Sequence, residues 1–140
     1  MNRFLPVLAV LISLWAGPAS AATPVEVIST APGNDGSRFV FALKERIPSS
    51  SSLEKTVDAS KPRMQVLIVT IDPGVNSGMT AYSVVITWKN PAQPYPMYLT
   101  QYVGTVGTSH ISEAADGMAA GISEQADALL SLYQNAPKAK

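Results

Sequence analysis

The C-terminal part of the chain constrains the fold most, because it has the pattern of one long amphipathic helix. Apolar residues recur every three or four positions: Ile111, Ala115, Met118, Ile122, Ala126, Leu129 and Tyr133. Acidic residues lie off this line, and Thr108 or Ser109 is the expected N-cap. Gly117 and Gly121 each cost about 1 kcal/mol relative to alanine inside a helix, which predicts a packing reason for them. Such a helix needs an apolar surface to cover.

Two neighbouring segments have the pattern of strands that could supply this surface. Residues 64 to 72 are apolar at nearly every position and rich in β-branched residues, which predicts a central strand covered on both faces. After a turn at residues 72 to 79, apolar and more polar positions alternate. One face carries Tyr82, Val84, Ile86 and Trp88, and the other carries Ala81, Ser83, Thr87 and Lys89. The two segments are predicted to form a hairpin.

A proline-rich loop and another strand follow. Three prolines within residues 90 to 96 each withhold a backbone donor, which predicts a stiff loop. Residues 97 to 106 are then predicted to form a strand. Its core side is expected to carry Met97, Leu99 and Val103, and its half-exposed side Tyr98, Thr100 and Tyr102.

The first half of the chain carries weaker signals. Residues 24 to 29 are β-branched and bounded by prolines, which favours an edge strand or an extended lead-in. Residues 37 to 47 have helical spacing, with Asn34, Asp35 or Ser37 as the cap, although residues 38 to 42 could also form a strand. Pro48 and the serines after it end this element. Residues 53 to 57 could form a short strand.

Taken in chain order, these elements predict an α+β fold. We expect a two-layer sandwich in which one short helix and the long C-terminal helix pack on one face of a mainly antiparallel sheet of three to five strands.

The N-terminus has the pattern of a secretory signal peptide. Arg3 precedes an apolar stretch that is too short to span a bilayer, and small residues favour cleavage after Ala21. This predicts a periplasmic or secreted location without stable membrane insertion. A single domain is expected over residues 22 to 133, followed by a disordered tail over residues 134 to 140.

Charge and cysteine content exclude several classes of protein. The full chain has ten basic and ten acidic residues. Removal of the signal peptide takes away one basic residue, Arg3, and leaves a net charge of −1. Such a balance does not attract nucleic acid. The absence of cysteine excludes disulfides and a lipid anchor on an N-terminal cysteine.

Catalytic and metal-binding patterns are weak. His110 is the only histidine and has Ser109 beside it, so a hydrolase built around His110 is a remote alternative. The spacing of Asp72, Gly74, Asn76 and Gly78 resembles a calcium loop, but it lacks an acidic third position and the final glutamate. We therefore expect no catalytic residue, no metal and no cofactor.

Aromatic residues provide the remaining candidate site. Trp88, Tyr95, Tyr98 and Tyr102 are grouped by a strand, the stiff loop and the next strand. Aromatic and proline-rich surfaces bind glycans, peptides and proteins at low entropic cost. The alternative is that Trp88 belongs to the core and the tyrosines pack across the sheet.

The sequence resembles small periplasmic α/β modules such as the N-terminal domain of TolB. The resemblance lies in the order of elements: a strand, the segment SRFVFALKERIPSSSSLEKTV, three strands and a closing helix. It implies interaction rather than catalysis, and it carries no binding residues across. The sequence thus favours a non-enzymatic protein that binds another envelope component, either an envelope protein or a peptidoglycan-associated one. A small-ligand or glycan binder using Trp88 and Tyr95 is the alternative.

Overall fold

The computed structural model describes residues 22–74 and 77–135, without the side chains of the last two residues. The predicted signal peptide, and all of the predicted tail after Asn135, lie outside the described residues. The helices and strands, in chain order, are β1 Thr23–Thr30, α1 Asn34–Arg46, β2 Leu53–Lys55, β3 Arg63–Ile71, β4 Met79–Lys89, β5 Met97–Gly107 and α2 Ile111–Asn135. Short 3₁₀ turns follow α1 at Ile47–Ser49 and precede α2 at Thr108–His110.

The described strands form one five-stranded sheet with the order β2-β1-β3-β4-β5. Strand β1 is parallel to both β2 and β3, whereas β3, β4 and β5 are antiparallel neighbours. Strand β1 is therefore an interior strand, which corrects the prediction of an edge strand, because the short β2 pairs along its outer side. The predicted α+β class, with one short and one long helix on a mainly antiparallel sheet, is confirmed.

Both helices pack on the same face of the sheet. Phe39 and Leu43 of α1 and Ile122 of α2 are fully buried against Val66 and Val84 of the sheet. The rings of Phe39 and Tyr82 stack with centroids 5.0 Å apart, so aromatic contact joins α1 to β4. The predicted apolar stripe of α2 is buried from Ile111 through Leu129. The helical interpretation of residues 37 to 47 is confirmed and the strand alternative is wrong.

Polar contacts join the two helices to each other. Arg46 of α1 donates from Nε to Oδ1 of Asp116 at 2.8 Å and from Nη2 to Oγ of Ser112 at 2.7 Å. Just beyond the 3₁₀ turn that follows α1, the hydroxyl of Ser50 lies 3.0 Å from that of Ser123 in α2. These contacts fix the helices side by side, and the apolar core supplies most of the stability.

The N-terminus of α1 is capped from a distant part of the chain. The N-cap residue is Gly33, which has no side chain, so the predicted local caps are wrong. Instead, the Asp72 carboxylate accepts hydrogen bonds from the backbone amides of Asp35 and Gly36, each at 3.1 Å. A Cβ on Gly33 would overlap this carboxylate, and a Cβ on Gly36 would overlap the Thr70 hydroxyl. Both glycines therefore permit the close approach of α1 to the end of β3.

The start of α2 also lacks a side-chain cap. Gly107 is the N-cap of the 3₁₀ turn that leads into α2, which corrects the expectation of Thr108 or Ser109. The amide of Thr108 instead donates to the carbonyl of Gly78 at 2.9 Å. The start of α2 is thus tied to the loop that precedes β4.

Replacement of Asp72 should reveal the strength of this cap. At neutral pH, Asp72→Ala should lower the urea midpoint of unfolding more than Asp72→Asn, because asparagine keeps one acceptor oxygen. The Thr80 hydroxyl, followed by the backbone amides of Asp35 and Gly36, lowers the pKa of Asp72. A lowered folded-state pKa gives stability that is fully present above the ordinary aspartate pKa and is lost as the pH falls through the folded value.

Urea titrations over a range of pH values should therefore show that wild type and Asp72→Asn converge in strongly acidic buffer. A difference between them that does not change with pH would exclude a role for the Asp72 charge.

The two glycines of α2 should respond differently to alanine. A Cβ on Gly117 would meet no atom within 4 Å, whereas one on Gly121 would lie 3.1 Å from the Tyr102 hydroxyl. Gly117→Ala should raise the free energy of unfolding by about 0.5–1 kcal/mol through helix propensity alone. Gly121→Ala should gain less or destabilise the fold, since Tyr102 must move. Equal gains in thermal unfolding would contradict the packing role of Gly121.

Candidate functional site

The outer face of β3 is open to solvent. Val66 and Ile68 point towards the helices and are buried, and the residues between them alternate to the other side of the sheet. Leu67, Val69 and Ile71 are 36, 49 and 63% exposed on that outer side. The prediction that β3 is covered on both faces is therefore wrong within the described part of the chain, because both helices lie on one face.

The register of the sheet extends this apolar surface over neighbouring strands. Ile28 of β1 is the partner of Leu67, which is also the partner of Val85 of β4. Val69 is the partner of Ser83, and Ser83 is the partner of Val103 of β5. Ile28 is 44% exposed and Val103 is 72% exposed. We call this surface the aliphatic patch: Ile28, Leu67, Val69, Ile71, Val85 and Val103.

A depression runs along β4 within the aliphatic patch. Ala81 and Ser83 are small and form its floor, between Val69 and Ile71 of β3 on one side and Val103 of β5 on the other. Its volume is about 370 Å³, and its lining is almost entirely apolar. A depression of this size has room for one or two aliphatic side chains.

A polar cluster lies on the same outer face at the end where β3 begins. Arg63 Nε donates to Glu26 Oε2 at 2.6 Å, and Gln65 Nε2 donates to the same oxygen at 2.8 Å. The hydrogen bonds from Gln65 and then from Arg63 lower the pKa of Glu26. Arg63 also donates to the carbonyls of Ala59 and Lys61, so its buried guanidinium is held in place. The aliphatic patch thus has a fixed polar border at this end.

A β-bulge separates the predicted tyrosine pair. The pairing of β4 with β5 shifts between Ile86 and Thr87, so Thr87 is the partner of Tyr98 whereas Val84 is the partner of Tyr102. Tyr102 therefore faces α2 and packs against the core, and Tyr98 lies exposed on the outer face. The prediction that both tyrosines share the half-exposed side is wrong.

The same bulge changes which residues of β5 face the core, so the predicted core side of this strand is partly wrong. Val103 lies in the aliphatic patch and not in the core, although Leu99 does pack against the core. Alternation counted straight through a bulge assigns residues beyond it to the wrong face.

The other two predicted binding residues lie elsewhere. Trp88 packs partly buried on the helix side, with its ring 6.1 Å from that of Tyr133 in α2. Tyr95 is exposed in the proline-rich loop, whose Gln93 and Pro94 carbonyls accept hydrogen bonds from the Lys89 ammonium group. Of the four aromatic residues, Tyr98 is placed by strand register on the same face as the aliphatic patch.

His110 and Ser109 lie exposed at the start of α2. Nδ1 of His110 lies 3.3 Å from Oε2 of Glu113, one turn further along the helix. Among the residues that the structure describes, no group of three or more histidine, aspartate or glutamate side chains could hold a metal ion. The described helices also include none with the length and apolarity needed to cross a bilayer.

Sequence reasoning missed the aliphatic patch, although its signal was present. Met64, Val66 and Ile68 already supply an apolar face for the helices, so Leu67, Val69 and Ile71 had to face something else. The polar side chains of Ser83, Thr87 and Lys89 on the same face of β4 indicated that this second face was not a complete core.

No family model matches the sequence, and no curated protein matches it. Among solved structures, the chain is similar to a minor lipoprotein from Acinetobacter baumannii, with 11% identity, 73% of this chain and 93% of that chain covered, and a TM-score of 0.46. It is also similar to a hypothetical protein from Chlamydia trachomatis, with 9% identity, 76% and 99% coverage, and a TM-score of 0.49. Neither protein is named as a TolB module, so the likeness to TolB stays a prediction.

Loss of the Glu26 charge should destabilise the polar cluster. Glu26→Gln would leave the Arg63 guanidinium, whose side chain is 7% exposed, without its carboxylate partner. We expect a loss of about 1–2 kcal/mol in the free energy of unfolding at neutral pH, because Glu26 itself is only partly buried. Because the pKa of Glu26 is lowered, its stabilisation is present above the ordinary glutamate pKa and disappears as the pH falls through the folded value.

Chemical denaturation of wild type and Glu26→Gln at neutral and acidic pH measures this loss. Glu54→Gln on β2 is the control, since Glu54 is exposed. An equal response of the two variants would contradict the role of the Arg63 contact.

Proposed function

We propose that this chain is a non-enzymatic protein of the bacterial envelope that binds an apolar segment of another envelope protein through the aliphatic patch. The observation that carries this proposal is the combination of half-exposed aliphatic side chains with the depression of about 370 Å³ between them. The signal-peptide pattern of the first 21 residues supports the proposed location.

The chemistry of the patch favours a protein partner. Large exposed apolar patches bordered by polar groups are typical of interaction sites. Covering apolar surface contributes about 25 cal/mol per Å², so closing Val69, Ile71 and Val103 from water would give about 1 kcal/mol for each. At the border, the Glu26 carboxylate is held in place by Arg63 and remains 23% exposed, so it offers a fixed acceptor that orients a bound segment.

The placement of His110 supports a role without catalysis. The imidazole and the Ser109 side chain are exposed in the 3₁₀ turn before α2, and His110 contacts the Glu113 carboxylate in the first turn of that helix. A nucleophile, a base and a group that orients the base are needed for hydrolysis of this type. The aliphatic patch lies on the opposite side of the sheet and contains no such groups among its six residues.

A pair of charged substitutions in the patch tests this proposal. Val69→Lys with Ile71→Lys places two ammonium groups in the depression, and we expect capture of the partner to fall by about tenfold or more. The matched control is Val57→Lys with Leu132→Lys, because Val57 and Leu132 are exposed aliphatic residues outside the patch. Both double variants add the same charge.

The measurement is crosslinking in intact cells that express the C-terminally tagged chain, followed by affinity purification and mass spectrometry. Circular dichroism and thermal unfolding of the purified variants verify that each is folded. Recovery of one envelope protein by wild type and control, but not by the patch variant, supports the proposal. Equal recovery by all three proteins contradicts it.

A further inference from the structure

The two edge strands of the sheet differ strongly in length and charge, and therefore in how readily another strand can pair with them. Strand β2 forms one edge and has only three residues, two of which are the exposed and charged Glu54 and Lys55. Strand β5 forms the other edge with eleven residues, Met97–Gly107. Short length and charge are the usual protection of an edge against pairing, and β5 has neither.

The β-bulge opposite Thr87 lies near the start of β5, and the longer part of the strand that follows it has no other protective feature. Strand β5 contains no proline and no charged residue from end to end. Among the described residues no strand pairs with its outer side, so the backbone donors and acceptors of that side have no strand partner. The edge is therefore a template for an extended segment.

We propose that β5 pairs with β5 of a second copy of this chain, in antiparallel orientation about a twofold axis perpendicular to the sheet. In a twofold interface a residue on the axis lies opposite its own counterpart, and every other residue i lies opposite a residue j of the second copy while j lies opposite i. A strand that carries no charge therefore meets no like-charge repulsion in its copy. We take the register centred on Tyr102, which places Gln101 opposite Val103 of the partner subunit and uses the part of β5 that follows the bulge.

This pairing produces one continuous sheet of ten strands from two five-stranded ones. Rotation about an axis perpendicular to the sheet keeps both helix layers on one side and both aliphatic patches on the other. Val103 of each subunit then lies beside the junction, so the two patches join into one apolar surface. The inference goes beyond the proposed function, because it rests on the edge of β5 and holds whichever partner covers the patch.

Substitutions at Gln101 and Val103 test the register, since both side chains are exposed on the outer face. Two lysines, Gln101→Lys with Val103→Lys, place like charges opposite each other twice across the axis. Two glutamates, Gln101→Glu with Val103→Glu, do the same with the other sign. The matched control, Gln101→Glu with Val103→Lys, places opposite charges at the same two contacts.

Sedimentation equilibrium of the purified proteins over a concentration series measures the dissociation constant of the dimer. We expect a dimer for wild type and for the mixed-charge control. Both like-charge variants should dissociate at least about tenfold more readily than the control, from the cost of like charges directly opposite in a sheet. Circular dichroism establishes that all four proteins fold.

A wild-type protein that sediments as a monomer overturns the proposal, and so does a dimer with equal dissociation constants in all three variants. If wild type is a monomer but an envelope protein is still captured through the aliphatic patch, the β5 pairing is wrong and the proposed function stands. A dimer with the expected charge pattern but without patch-dependent capture supports β5 pairing and removes the proposed function.

Discussion

The contact between Asp72 and the start of α1 connects the helix layer to the sheet. Asp72 follows β3 directly, and its carboxylate occupies the place that a side chain at the N-cap would otherwise fill. The positive end of the helix is thereby fixed above the end of the central strand. There is no room at this contact for a Cβ on Gly33 or on Gly36. The geometry therefore depends on these two glycines and on the Asp72 carboxylate, which lies almost 40 residues further along the chain. The position of α1 in turn sets the space in which α2 can pack.

Placement of both helices on one face decides the character of the other face. The inward residues of β3 and β4 meet Phe39, Leu43 and Ile122 in a closed core. The outward residues receive no such cover from the described part of the chain. The fold therefore has a sheet with one dry face and one face on which aliphatic groups remain in water, and the second is the candidate site.

Local patterns predicted most of the fold but not the site. Helical spacing from Ile111 to Leu129 and alternation from Tyr82 to Trp88 are local signals that are strong enough to give the type of each element and its buried side. The cap of α1 could not be predicted, because it depends on a residue that is distant in the chain. The bulge beside Thr87 could not be predicted either, since one extra residue in β5 reverses every later assignment of its faces. Tyr98 and Tyr102 were separated for this reason alone.

The incorrect prediction for β3 has a physical meaning of its own. Its sequence is that of a strand covered on both faces, and yet Leu67, Val69 and Ile71 face water in the described chain. Aliphatic residues on the exposed face of a strand do not improve solubility. A strand that alternates apolar and polar residues would form the same sheet with its polar side chains in water. Disagreement between local pattern and observed environment is expected at sites that act on other molecules. A bound partner over the aliphatic patch would restore agreement, because the central strand would then have the two apolar neighbours that its sequence specifies.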